Sequence, residues 1–226
     1  MRRIDRFDSK SICGVILLIN HISVRMELEM KRLETLNYYN QNAARFCQNT
    51  ISVEFTATQR RFLSYLSSAA HILDFGCGSG RDTKAFLDQG YQVEAIDGSE
   101  ELCKLASRYT GIQVRHMLFQ ELSAVSEYDG IWACSSILHL TRDELPDVMR
   151  KMVTALKPGG IIYTSFKYGT FSGERSGRYF TDMTEEAFAD FMSRMERLQI
   201  EEEWVTSDAR PGREEEKWLN LILRKI

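Results

Sequence analysis

Proline is scarce in this chain, at three in 226 residues, and there is no Gly/Ser-rich linker, internal repeat or low-complexity stretch. Nothing therefore marks a hinge between two domains, and the length suits one α/β unit with a full core. Cysteine offers no framework either. Cys13, Cys47, Cys77, Cys103 and Cys134 make an odd set with no C-x-x-C and no Cys/His group at zinc spacing. A structural zinc is not expected, no metal is, and reduced thiols in the cytoplasm are the simplest state. Charge of one sign is lacking too. Twenty-nine Lys and Arg against 32 Asp and Glu leave a net charge of −3, so no global field draws the chain to nucleic acid or an anionic membrane face.

Long apolar runs are also missing. The most apolar stretch, Gly14 to Ile19, is too short to span a bilayer and is followed by Asn20 and His21. Arg2 and Arg3 ahead of it resemble the start of a signal peptide, but Asp5 and Asp8 interrupt the region and no small-residue cleavage site follows. Met26 and Met30 could each start a chain. Residues 1–25 therefore read as an N-terminal extension and residues 26–226 as a single domain.

What is present is an alternation of helical and strand patterns. Helices are expected at Met26 to Asn49, Thr56 to Leu66, Thr83 to Gln89, Glu100 to Tyr109, Asp143 to Leu156 and Glu185 to Arg197. Pro158-Gly159-Gly160 should stop the fifth of these. Strands are expected at His71 to Gly76, Tyr91 to Ile96, Ile112 to Met117, Tyr128 to Cys134, Ile161 to Phe166, Gln199 to Thr206 and Trp218 to Arg224. Alternation of this kind predicts an α/β, doubly wound, mostly parallel seven-stranded sheet covered on both faces. The last two strands are too close for a helix between them, so the last should run antiparallel. Ligands in such sheets bind beyond the carboxyl ends of the strands, where the strand order switches.

The first strand ends in Asp74-Phe75-Gly76-Cys77-Gly78-Ser79-Gly80-Arg81. Glycine at every second position permits a tight turn and close backbone approach to a ligand. A dinucleotide fingerprint, G-x-G-x-x-G, would need a third glycine where Arg81 stands, so NAD is disfavoured. No Gly-Lys-Ser/Thr occurs, so a Walker loop is absent.

The run Asp74-x-Gly76-x-Gly78-x-Gly80 resembles motif I of the class I, Rossmann-like S-adenosylmethionine (SAM) dependent methyltransferases. The resemblance implies that Gly76, Cys77, Gly78 and Gly80 lie against the methionine part of SAM and that Asp74 supports its amino group. It places the ribose on Asp97, at the end of the second strand, followed by Gly98 and Ser99. An acceptor-only carboxylate suits two hydroxyl donors. Phe119 and Gln120 stand where the family reads adenine, although Leu118 replaces the Asp usual just before them. The sequence from Leu156 to Gly160 matches the turn before the fifth strand, so the likeness covers Leu73 to Phe166. Gly80-Arg81-Asp82 is similar to the tellurite-resistance-type small methyltransferases, which implies that Arg81 meets the SAM carboxylate. Enzymes of that size often use an N-terminal lid helix with a tyrosine on SAM. Tyr39, beside Tyr38 and Asn42, fits that role, and a core-packing stripe is the alternative.

No [DNS]-P-P-[YFW] motif follows the fourth strand, and Cys134 lacks the proline of a cytosine-C5 nucleophile. Cys134 is expected to border SAM by its backbone. His139, just beyond that strand, is either a proton acceptor or a packed residue between two leucines, with no orienting partner visible in the sequence. Lys167 and Arg178, in the loop after the fifth strand, and Arg210, between the last two strands, form either an anion clamp or a solvated rim paired with Glu174 and Glu214 to Glu216. The expected function is methyl transfer from SAM to a small polar or anionic molecule. A macromolecular methyltransferase acting on tRNA or protein, and a non-catalytic SAM-binding module, are the alternatives.

Overall fold

The structure, a computed structural model, describes the backbone of residues 9–226 and the side-chain surroundings of residue 23 and residues 26–226. Residues 1–8 of the expected extension, and most side chains of residues 9–25, lie outside the described set. The first helix, α1, spans Ser9–Thr50, so it runs straight through the boundary expected before Met26. After α2 (Thr56–Leu63) the chain alternates through β1 (His71–Phe75), α3 (Arg81–Asp88), β2 (Gln92–Asp97), α4 (Glu100–Thr110) and β3 (Arg115–His116). It continues through β4 (Tyr128–Ala133), α5 (Leu145–Ala155) and β5 (Leu156–Lys167). The last elements are β6 (Ser172–Arg175), β7 (Arg178–Thr181), α6 (Glu185–Met192), β8 (Leu198–Ser207) and β9 (Lys217–Lys225).

The main sheet has seven strands in the order β3-β2-β1-β4-β5-β9-β8. Pairs from β3 through β5 are parallel, and β9 is antiparallel to both of its neighbours. This is the expected doubly wound sheet with an antiparallel last strand. Its strand order turns back between β1 and β4, which opens a crevice at their carboxyl ends.

Successive strand residues face opposite sides of the sheet. Leu73, Phe75, Ile131 and Ile162 therefore enter a core with Met149 and Met152 of α5, while Ile72, Trp132 and Tyr163 enter a second core with Phe62 of α2 and Phe86 of α3. Trp132 stacks on Tyr163 at 4.0 Å between ring centroids. Both cores hold β1 and β4 rigid under the crevice.

Three expectations differ from what is found. The Pro158-Gly159-Gly160 segment was expected as a turn ahead of the strand, but it is absorbed into β5. The β4 ladder pairs Tyr128 with Leu156 and then Gly130 with Ile161, and Gly159 takes φ 75° to accommodate the extra residues. The third strand shrinks to two residues, Arg115 and His116, and then gives way to a 3-10 turn over Phe119–Glu121. The loop expected after the fifth strand is a second sheet, the β6–β7 hairpin. Its two-residue turn is Ser176-Gly177, with φ 54° and 75°, and positive values at both positions match the twist of paired strands.

Candidate functional site

The glycine loop joins β1 to α3. Gly76 and Gly78 hold φ 89° and 57°, a region costly to side-chain-bearing residues. A Cβ on Gly76 would lie 2.5 Å from that of Ser136, so the loop after β1 and the loop after β4 approach as closely as backbone permits. The amides of Gly76 and Cys77 both donate to Ile96 O, at 3.0 and 2.9 Å. The next amide, of Gly78, donates to Asp97 Oδ2 at 2.9 Å, and Ser99 N donates to Asp97 Oδ1 at 2.8 Å. Burial pushes the Asp97 carboxyl up against these two donors, which favour its charged form.

Around this loop lies a cavity of about 320 Å³. Asp74, Gly76, Cys77, Gly78, Arg81, Asp97 and Gly98 line one end, with Phe119, Gln120 and Cys134 alongside. Tyr39, His139, Lys167, Arg178 and Arg210 line the other parts of it. Two expected contacts are absent from the wall. Gly80 is the N-cap of α3, where an added Cβ would lie 2.7 Å from Thr110 Cγ2, so it serves helix packing. Ser99 caps α4, accepting from Leu102 N at 3.2 Å, and its hydroxyl donates to Asn40 Oδ1 of α1 at 2.7 Å. It latches the first helix over the site.

Acid and base groups here are set by burial. Asp74 accepts from the Thr83 hydroxyl, and burial, with the charge of Asp82, pushes its carboxyl up to about 8. Asp82 goes the other way. Burial would raise it, but the Arg81 guanidinium, paired with both its oxygens, and donors from Gln59 and Trp132 hold it below the usual range. Arg81 thus lines the cavity with its fork already engaged and its face 4.5 Å over the Phe55 ring. Burial pushes the Cys134 thiol up to about 12, and Cys77 rises as well, so neither is a ready nucleophile.

His139 has orienting partners that the sequence did not show. Its Nδ1 lies 2.7 Å from Tyr179 O and its Nε2 2.8 Å from the Tyr39 hydroxyl. A carbonyl only accepts, so Nδ1 carries the proton and the Nε2 lone pair receives the Tyr39 O–H. Burial lowers the imidazole to about 4, which keeps it neutral.

The three cations expected as one clamp are not alike. Lys167 pairs with Glu216 and lies 5.1 Å over the Trp218 ring. Arg210 forks onto Asp208, with Nε at 2.9 Å, and Trp218 donates to the same carboxylate. Lys167 thus pairs within the expected Glu214 to Glu216 set, whereas Arg210 takes Asp208, a partner outside it. Arg178 has no carboxylate partner among the described residues. Its guanidinium lies 4.3 Å over Tyr38 and 5.1 Å over Phe180, Nη1 reaches Tyr39 Oη at 3.4 Å, and its Nε is buried without a partner.

On the far side, Phe119 packs against Phe75 with ring centroids 4.6 Å apart and planes tilted by 38°, while the Gln120 amide is turned to Glu144 at 3.1 Å. Sequence reasoning missed Phe46, Asn49, Ser135 and Phe180 on the wall. For the first two a signal existed. Tyr39, Asn42, Phe46 and Asn49 recur at spacings of three and four, one face of a helix.

Comparison with known proteins agrees with this geometry. Residues 72–160 match the family described as a methyltransferase domain. A ubiquinone biosynthesis O-methyltransferase of Xanthomonas euvesicatoria pv. vesicatoria is 28% identical over 123 residues, covering 52% of this chain and 49% of that protein. The chain thus spans about half the length of this curated relative. In fold it is similar to a Burkholderia thailandensis 1,6-didemethyltoxoflavin-N1-methyltransferase solved with 1,6-didemethyltoxoflavin and S-adenosylhomocysteine. That match has a TM-score of 0.68 and 20% identity, over 99% of this chain and 93% of that one. TehB from Haemophilus influenzae gives a TM-score of 0.63 at 17% identity, over 80% and 66%. With the sheet order, the glycine loop and the match in agreement, residues 72–160 are similar to a methyltransferase domain, and the chain has the Rossmann-like fold of the class I methyltransferases.

Proposed function

We propose that this protein transfers a methyl group from SAM to a small polar or anionic acceptor. The observation that carries this reading is the continuity of one cavity from the Gly76–Gly78 loop and Asp97 to Tyr39, His139 and Arg178. The loop end fits SAM on its own chemistry. Asp97 offers carboxylate oxygens to the ribose hydroxyls, the bare backbone at Gly76 leaves room for close approach, and Asp74 is a buried acid with no salt-bridge partner among the described residues and would receive the amino group. Gly78, Cys77, Gly98, Phe119 and the backbone at Cys134 complete that wall, and Arg81, whose fork is engaged by Asp82, lines the same end.

Bound SAM supplies an activated methyl group. The chain's part is to orient the acceptor beside it and exclude water. Helix α1 does the excluding. It is fixed at Asn40 to α4, at Tyr39 to His139 and at Thr35 Oγ1 to the Tyr179 amide, 3.0 Å away. A cavity roofed by a helix and a hairpin suits a small molecule better than a duplex or a folded protein. The small ligand in the Burkholderia structure supports the same reading. No helix of the described residues is long and apolar enough to cross a membrane. Cys47, Cys77, Cys103 and Cys134 are free thiols, which supports a reaction in the cytoplasm.

The test is thermal. SAM and S-adenosylhomocysteine should raise the melting temperature while NAD does not, because a ligand selective for the native state stabilises it by mass action. A shift with NAD and none with millimolar SAM would overturn the reading.

A further inference from the structure

Hydrogen-bond accounting at the far end of the cavity restricts what can bind there. A tyrosine hydroxyl has one proton and two lone pairs. The Tyr39 proton is committed to His139 Nε2 at 2.8 Å, because His139 Nδ1 must donate to the Tyr179 carbonyl at 2.7 Å. One Tyr39 lone pair faces Arg178 Nη1 at 3.4 Å. Only an acceptor site is left on Tyr39, which lines the cavity. Arg178 is the complement. Guanidinium groups only donate, and its Nε is buried with no partner among the described residues. That Nε is closed off from solvent, so Arg178, which lines the cavity, meets an acceptor there through its Nη groups, of which Nη1 reaches Tyr39 Oη. Tyr38 and Phe180 flank the guanidinium with ring faces at 4.3 and 5.1 Å.

We propose that Tyr39 and Arg178 together form the acceptor subsite, and that it selects a small molecule carrying an N–H or O–H donor beside a carbonyl or anionic oxygen. The donor is answered by Tyr39 Oη and the oxygen by Arg178. Lactams, imides and phenols with a neighbouring carbonyl have this pattern. Thiols, tertiary amines and their fully methylated analogues lack it. This rests on the methyl-transfer reading, of which it names the acceptor class. His139 acts through Tyr39 as a positioning residue. Its buried, neutral ring keeps the Tyr39 proton turned away from the cavity, in line with the fall of the imidazole to about 4.

The test uses the purified full chain, saturated with S-adenosylhomocysteine, and two minimal probes. 2-Pyridone presents a ring N–H next to a carbonyl, and N-methyl-2-pyridone differs only in lacking that donor. Binding is read by saturation-transfer NMR titration. We expect 2-pyridone to bind about tenfold tighter, the scale of one hydrogen bond. Tyr39→Phe should bring the ratio near one, and Arg178→Met should weaken both probes alike by about tenfold. If Arg178→Met does not fold, Arg178→Lys, which keeps the charge but loses the planar fork, replaces it and should weaken both. Equal binding of the two probes, or binding of neither, overturns the proposal while the cofactor reading stands. Failure of S-adenosylhomocysteine to bind instead sinks that parent reading, and the probe ratio measured on the chain alone still decides the subsite.

Discussion

The hydroxyl of Tyr39 and the Nε2 of His139 meet at 2.8 Å across 100 residues of sequence, and in doing so join the roof helix of the cavity to its floor. Both ring nitrogens of His139 are thereby occupied, and burial holds the imidazole down to about 4. The stability consequence has a definite sign. An unfolded histidine takes up a proton near pH 6.5, whereas the folded one resists until about 4, so the unfolded chain binds more protons in between. Folding stability from this group is full above about pH 6.5 and is lost as pH falls toward 4. Urea midpoints at pH 7 and pH 5 should therefore differ more in the wild type than in His139→Gln. An equal difference in both proteins would remove His139 from the acid response.

The Asp74 carboxyl is shifted the opposite way, and on the proposed reading it links protons to the ligand. Its carboxyl is pushed up to about 8 by burial and by Asp82, so it is largely protonated at pH 6. A ligand ammonium there favours the charged form. S-adenosylhomocysteine affinity should rise from pH 6 to 8, by up to about tenfold per unit, with release of a proton on binding. Calorimetry in buffers of different ionisation enthalpy counts that proton. Asp74→Asn should bind with a flat pH profile, and a mutant that kept the wild-type slope would place the titrating group elsewhere.

The half of the site that binds locally was legible in the sequence, because its causes are local. Glycines 76 and 78 are required by backbone angles within the loop, and Asp97 follows from its place at a strand end. What was not legible depends on residues far apart in the chain. The partners of His139 come from α1 and β7, so nothing near position 139 announces them. The β6–β7 hairpin escaped notice because each strand has four residues, too few to show alternation, and because Ser176-Gly177 is a less usual hairpin turn than Asn-Gly. The division among Lys167, Arg178 and Arg210 depended on which carboxylate each one reaches, and sequence gives only their number.

Asp97 holds the loop and is proposed to hold the ligand, and the two roles separate by substitution. Its oxygens accept from Gly78 N and Ser99 N. Asp97→Ala should weaken S-adenosylhomocysteine binding by about 1–3 kcal/mol, the cost of leaving polar partners unanswered. Calorimetry on a mutant shown to be folded by circular dichroism measures it. Unchanged affinity would mean that this acid holds only the loop.

Removal of residues before Met26 should leave both fold and cofactor affinity intact. The helix is continuous through that point, yet the α1 residues that touch the site begin at Arg32 and Thr35, two turns further on. A helix cut there loses one end, and its packed end is held by Asn40 and Tyr39. The melting temperature of the truncated chain, with and without S-adenosylhomocysteine, decides this. Loss of the ligand-induced shift would make the segment part of the lid.

Arg178 and Arg210 separate recognition from structure at the same cavity wall. Arg210 is already answered by Asp208, whose carboxyl is held at about 2, against the burial that would raise it, by the Arg210 fork and the Trp218 donor. Arg210→Ala removes that fork and leaves Asp208 buried with its backbone and Trp218 donors only, so the melting temperature should fall, with a stability loss of about 1–3 kcal/mol. Arg178 has no carboxylate partner among the described residues, and its Nε is unanswered there. Arg178→Ala should therefore cost little in the melting temperature and leave S-adenosylhomocysteine affinity near that of the wild type, because the proposed cofactor end is lined by the loops after β1, β2 and β4. Its effect should appear in methyl transfer, followed by mass spectrometry as S-adenosylhomocysteine formed from a metabolite extract. Arg178→Lys should restore only part of the rate, since lysine keeps the charge but not the planar fork. Full turnover by Arg178→Ala would leave this residue a packing partner of Tyr38 and Phe180 only, and the anionic or carbonyl-bearing acceptor would be dropped.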